Sequence, residues 1–196
     1  MKQILFVNAC MRGPERSRTW GLARTFLDAC QARWPQAEIL ERDLTDCALP
    51  VLSGPMTDQR DRCFQSDPQN PMFAPAREMS RADLVVVAAP YWDLSFPAAL
   101  KIYLEWASVL GITFHYTDQG VQEGLCRADH LVYVTTAGGV IGDKNFGFDY
   151  LQGLGEMFGI PNAHLLSAQG LDIWGNDPQS LLNQAKEQAR LLAGQI

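Results

Sequence analysis

The chain has 196 residues, of which 47% are apolar and 19% charged, a balance that belongs to one folded globular core and excludes intrinsic disorder. Sixteen basic residues against twenty-two acidic ones leave a net charge of -6, which disfavours non-specific binding to nucleic acid or to an anionic membrane. The five cysteines (Cys10, Cys30, Cys47, Cys63, Cys126) are scattered, with no C-x-x-C pair and no histidine at ligand spacing, so no metal site and no disulfide framework is expected.

The run Ile4-Leu5-Phe6-Val7 is too short for a signal peptide, and no apolar stretch nears the ~20 residues that span a bilayer. The expectation is a cytoplasmic chain forming one domain over residues 1–196. That run reads as a buried first strand, and Ala23, Phe26, Leu27, Cys30 and Trp34 recur behind it at helical spacing until Pro35. Glu38 to Glu41 alternates like an outer strand. Leu84 to Ala89 is a continuous apolar, largely β-branched run, as a central strand buried on both faces requires. A third helix follows, with Ser95 as its expected N-cap, Pro97 in its first turn, and Leu100, Tyr103, Leu104 and Ala107 on one face. Leu131 to Thr135 makes a fourth strand. Tyr150, Leu151, Leu154, Met157 and Phe158 mark a fourth helix, Ala163 to Ser167 a fifth strand, and Asp177-Pro178 the cap of the last helix.

Five strands alternating with five helices suit a doubly wound parallel sheet of order 2-1-3-4-5 with helices on both faces, whose ligands bind outside the carboxyl ends of the strands. Two segments exceed what this fold needs: Asp43 to Ser80, and Gly111 to Ala128 with its Phe114, His115 and Tyr116. They read as lids, binding loops or partner surfaces, with slack linker as the plain alternative.

Three strand exits carry residues suited to a ligand. After strand one, Ser17 and Thr19 open a helix whose N-terminus accepts phosphate, among Arg12, Arg16 and Arg18; Ser17 as a simple cap beside solvated arginines is an equal reading. The loop contains neither G-x-G-x-x-G nor G-x-x-x-x-G-K-[ST], the usual signatures of dinucleotide and triphosphate sites. After strand three, Pro90-Tyr91-Trp92-Asp93-Leu94 offers aromatic rings for a flat heterocycle, or for core packing. After strand four, Thr136-Ala137-Gly138-Gly139 lets backbone N–H groups approach a ligand, or simply turns. The three coincide where the topology predicts a site.

In Ala89-Pro90-Tyr91-Trp92-Asp93-Leu94, Leu100-Lys101, Gly111 to Thr117, Glu123-Gly124-Leu125 and Gly138-Gly139, the chain resembles the flavodoxin-like FMN-dependent NAD(P)H:quinone oxidoreductases, a family that includes bacterial azoreductases. Asp43-Leu44 with Leu49 to Gly54 is similar to that family's second-strand exit. The resemblance implies a flavodoxin-like fold, non-covalent FMN, and NADH or NADPH as donor. Its acceptors would be quinones, azo dyes or nitroaromatics, and its assembly a homodimer with sites at the subunit interface. It places Ser17, Arg18 and Thr19 on the phosphate and Cys10 near the ribityl chain. Pro90, Tyr91, Trp92, Asp93 and Leu94 would line the isoalloxazine, Thr136, Ala137, Gly138 and Gly139 its far edge, and Phe114, His115 and Tyr116 the substrate pocket. Cys10, Trp92 and Asp93 depart from the family's usual serine, tyrosine and asparagine. An ionised Asp93 cannot donate from its side chain, so its backbone N–H is the expected donor. No protein acid or base is assigned, because the flavin would carry the chemistry. The competing readings are a one-electron carrier of the flavodoxin type and a cofactor-free binding domain.

Overall fold

A computed structural model describes residues 2–46 and 49–196; Cys47 lies outside them. Strand β1 (Gln3–Asn8), helix α1 (Arg18–Arg33) and strand β2 (Glu38–Asp43) come first. Helices α2 (Gly54–Ser66) and α3 (Ala74–Arg81), joined by a short 3-10 turn at Pro71–Phe73, lead to β3 (Leu84–Ala88) and α4 (Ala98–Ala107). A hairpin of β4 (Phe114–Tyr116) and β5 (Gln122–Gly124) precedes β6 (His130–Thr136), α5 (Phe146–Phe158), β7 (Asn162–Ala168) and α6 (Pro178–Gln195). The main sheet has the order β2-β1-β3-β6-β7 with every pair parallel, which is the expected flavodoxin-like 2-1-3-4-5 order once the separate hairpin is set aside.

Successive side chains of a strand point to opposite faces, and β1 divides its residues accordingly. Ile4 and Phe6 pack with Leu22, Phe26, Ala185 and Ala189 of α1 and α6, whereas Leu5 and Val7 pack with Met79, Leu100, Tyr103 and Leu151 of α3, α4 and α5. Because β3 is covered by both layers, all of its residues are buried, which is why its sequence shows no alternation.

The long stretch after β2 is not slack. It folds into α2, the 3-10 turn and α3, so six α-helices are present among the described residues instead of five. Helix α2 fully buries none of its residues. Phe64 meets Phe73 edge to face at 5.4 Å, and Trp106 donates its ring N–H to the Pro50 carbonyl at 2.7 Å. The expected caps at Ser17 and Asp177 form, accepting from the N–H groups of Trp20 (3.1 Å) and Gln179 (3.0 Å). Ser95 does not cap α4: it closes a tight turn with Trp92 through reciprocal backbone bonds of 3.1 and 2.8 Å, and Pro97 takes the N-cap position. Within that turn Asp93 and Leu94 have φ of 48° and 67°, a conformation that Asp tolerates but that costs a side chain such as leucine's roughly 1–2 kcal/mol. Among the described residues no helix is long and apolar enough to cross a membrane, and no group of three or more His, Cys, Asp or Glu could hold a metal ion.

Candidate functional site

The exit of β1 is shaped by Asn8, whose buried side chain accepts from the Cys10 N–H at 3.0 Å and donates to Glu41 at 2.9 Å. Gly13, at φ 75°, then turns the chain so that its carbonyl accepts from the Ser17 N–H at 3.1 Å. This sets α1 to start at the carboxyl end of the sheet. Its Arg18 and Thr19 N–H groups meet no acceptor among the described residues, and no acidic residue stands in the first turn. Unpaired N–H groups and the positive end of the helix dipole thus face the same space.

That space is a cleft of about 230 Å³ walled by four loops. The β1–α1 loop brings Met11, Arg12 and Arg16 to Thr19; the β3–α4 loop brings Pro90, Tyr91 and Trp92; the β6–α5 loop brings Thr136 and Gly138; the β7–α6 loop brings Asp172. Thr19 and Thr136 share a buried bond of 2.6 Å between their hydroxyl oxygens. One hydroxyl donates to the other, which leaves one proton for a ligand. Ser17 spends a lone pair in capping Trp20, and its hydroxyl also lies within hydrogen-bond reach of the Cys10 thiol. Arg18 grips Asp172 in a two-pronged pair of 2.9 and 3.1 Å, and the Arg18 hydrogen bond, with help from Arg12, holds the Asp172 carboxyl below its ordinary pKa. Arg12 and Arg16 make no salt bridge among the described residues. The Tyr91 hydroxyl donates to the Lys144 carbonyl at 2.9 Å and its N–H to the Thr136 carbonyl at 3.1 Å, tying the β3 and β6 loops together. Trp92 is 43% exposed at the mouth.

The remaining expected site residues are placed differently. Cys10 is buried beneath the loop with its thiol 3.7 Å from the Ala88 carbonyl, and burial pushes it up to about 12; it does not line the cleft. Ala137 donates its N–H to Ala168, and the Gly139 carbonyl accepts from Gly170, so both brace the β7–α6 loop. Asp93 and Leu94 sit in the exposed turn beyond Trp92, where the Asp93 N–H meets no acceptor among the described residues.

Phe114, His115 and Tyr116 do not line this cleft. They belong to the hairpin, in which His115 pairs with Glu123 at 3.0 Å. The hairpin docks on the far end of α5: Cys126 donates to the Phe158 carbonyl and Gln122 to that of Met157, each at 3.0 Å. Helix α5 starts on the cleft side and runs away from it for 13 residues, so the docking point is ~20 Å distant. Sequence reasoning missed two lining residues, Met11 and Asp172. The one indirect signal for Asp172 is Gly138, where a Cβ would stand 2.3 Å from the Asp172 carboxylate.

A sequence family described as having a flavodoxin-like fold matches residues 2–192. The chain is 31% identical over the full length of both proteins to an FMN-dependent NADH:quinone oxidoreductase of Coprothermobacter proteolyticus. It is also 31% identical to one of Clostridium beijerinckii, with 97% of each chain covered. Among solved structures, an azoreductase from Bacillus anthracis superposes with a TM-score of 0.87 at 22% identity, covering all of both chains. An FMN-dependent NADH-azoreductase from the same species, in complex with FMN, gives 0.84 at 20% identity, covering 100% of this chain and 99% of that one. At these identities the superpositions show the fold.

Proposed function

We propose that this chain, which belongs to the flavodoxin-like family of FMN-dependent NADH:quinone oxidoreductases, holds FMN non-covalently in the four-loop cleft and serves as an NADH-dependent reductase. The observation that carries the reading is the charge and donor set at the start of α1. Three guanidiniums against one carboxylate leave the lining with two positive charges in excess beside unpaired N–H groups. A phosphate monoester, carrying about −1.5 to −2 charges at neutral pH, fits that excess.

Bound FMN would supply the two-electron chemistry, accepting hydride from NADH and delivering it to a quinone. The protein's part is to bind and orient. Ser17, the Thr19–Thr136 pair and the first N–H groups of α1 would donate to the phosphate while Arg12, Arg16 and Arg18 balance its charge. Tyr91 and Trp92 would offer flat apolar surface to the ring, and the Asp93 N–H a donor to its edge. With no dinucleotide fingerprint, NADH is read as a visitor that leaves before the acceptor enters, giving ping-pong kinetics. Azo and nitroaromatic compounds, flat and electron-poor like quinones, are the further acceptors proposed.

The assembly proposed is a homodimer. Trp92, Leu94, Val140, Phe146 and Trp174 are exposed around the cleft end of the sheet, and an apolar rim of this kind marks a partner surface. The Phe114 to Tyr116 hairpin is too far from its own cleft to act as a lid within one chain, so its substrate-contact role is assigned to the cleft of a second copy.

Flavin fluorescence quenching tests the cofactor: FMN should bind well and riboflavin, lacking the phosphate, much more weakly. Equal affinities would refute the phosphate role. Anaerobic NADH should bleach the FMN-loaded protein, and steady NADH consumption with menadione separates an enzyme from a one-electron carrier. Initial-rate lines at varied NADH and menadione should be parallel; intersecting lines would refute the ping-pong order.

A further inference from the structure

The phosphate end of the cleft already contains an anion belonging to the protein. Asp172 lines the same space as Ser17 and Thr19 and occupies both prongs of the Arg18 guanidinium. Its placement is built in: the Asp172 N–H bonds to the Gly138 carbonyl at 2.9 Å, Leu171 before it donates to Ala137 at 3.2 Å, and the absence of a Cβ at Gly138 makes room for the carboxylate. A guanidinium presents the same fork to a carboxylate and to a phosphate. The two anions therefore compete for Arg18, and they repel each other in one small cleft.

We infer that Asp172 is an affinity-setting residue of the flavin site, an internal competitor that holds Arg18 until a phosphate takes it and so weakens binding of phosphorylated flavin selectively. This rests on the FMN reading above. The Arg18 and Asp172 side chains are 36% and 65% exposed, so water and salt screen the pair and a ligand can displace it readily. The competition is thus worth a few-fold in affinity and is strongest at low salt. Its chemical discrimination is by charge: it acts on FMN and leaves riboflavin alone.

The test is FMN and riboflavin titration of the full chain by fluorescence quenching, wild type against Asp172→Asn, at low and high salt. The neutral isostere keeps the shape, and a urea unfolding midpoint equal to that of the wild type shows that the fold is intact. The expected result is FMN binding tighter by about two- to fivefold at low salt, a smaller gain at high salt, and unchanged riboflavin binding. FMN binding that is unchanged or weaker overturns the inference, as does an equal gain for riboflavin, which would trace the effect to shape. A wild-type protein that takes up FMN and riboflavin equally overturns the phosphate reading itself. One that takes up neither overturns the cofactor reading and the competitor with it.

Discussion

Replacing Gly124 by Ala should unseat the β4–β5 hairpin, although the change adds only one methyl group. A Cβ at this position would stand 2.0 Å from the Gly159 nitrogen, 2.0 Å from the Phe158 carbonyl carbon and 2.3 Å from its oxygen. These are backbone atoms, and they cannot rotate away. Gly159, at φ 81°, ends α5 with its N–H on the Glu156 carbonyl at 3.1 Å, and Ile160 bonds back to Gly155 at 2.8 Å. Ordinary carbon contacts lie near 3.5–4.0 Å, so the hairpin must withdraw by roughly 1.5 Å. That breaks the bonds from Cys126 to Phe158 and from Gln122 to Met157, both 3.0 Å. Two hydrogen bonds at about 0.5–1.5 kcal/mol each, with about 1–3 kcal/mol for the overpacked contact, give a loss of about 2–6 kcal/mol. Gly153→Ala is the matched control: it lies exposed on the same helix with nothing within 4 Å of a Cβ, and should gain roughly 0.5–1 kcal/mol. Urea unfolding of the three proteins reads both values. A Gly124→Ala variant within about 1 kcal/mol of wild type would refute the docking geometry.

Leu94→Asn should stabilise the apoprotein by about 0.5–1 kcal/mol, because Asn tolerates the left-handed backbone that Leu94 is forced to adopt; a lower unfolding midpoint would show that its partly exposed side chain contributes more than the strain costs. Acid stability should depend on His164, whose Nε2 lies 2.9 Å from His130 Nδ1 and whose pKa is lowered from 6.5 by burial and then by His130. The unfolded chain therefore takes up the proton first: stability is full above about pH 6.5 and falls as pH drops through the lower folded value. His164→Gln should flatten that part of the profile in urea midpoints measured between about pH 5 and 7.5, and an unchanged slope would count against the pair. Light scattering at micromolar concentration should give twice the 21.8 kDa of one chain, and Phe114→Ser should shift the mass toward one; a wild-type mass of one chain would remove the dimer.

Legibility followed the range of the forces involved. Strands β1, β3 and β6 are continuous apolar runs, and Ser17 and Asp177 cap through neighbours a few residues away, so all were visible in the sequence. Helix α2 was hidden because it fully buries none of its residues, so no apolar stripe announces it, and the chain before it is tied down only by the Pro50–Trp106 bond 56 positions away. Ser95 misled because a hydroxyl before a helix is a good cap only when the backbone is free, and here the turn with Trp92 claims it. The candidate site was legible as three loops, since helix starts, aromatics and glycines announce themselves locally. Its fourth wall was not: a lone aspartate acquires meaning only from the arginine it meets across 154 positions of chain. Cys10, which the family resemblance places near the ribityl chain, turns its side chain inward against the Ala88 carbonyl.

That separation also orders events at the ribosome. The arginine-bearing start of α1 is made early, while Asp172 emerges 154 residues later, a delay of about 8–30 s at ordinary rates of synthesis of roughly 5–20 residues per second. Throughout that interval the growing chain carries a cationic helix start without its carboxylate; the β6 loop is made part-way through it and the β7 loop that closes the cleft comes last. The four walls of the cleft are therefore all present only once residue 172 has been made, and a ligand that needs all four cannot be held before then.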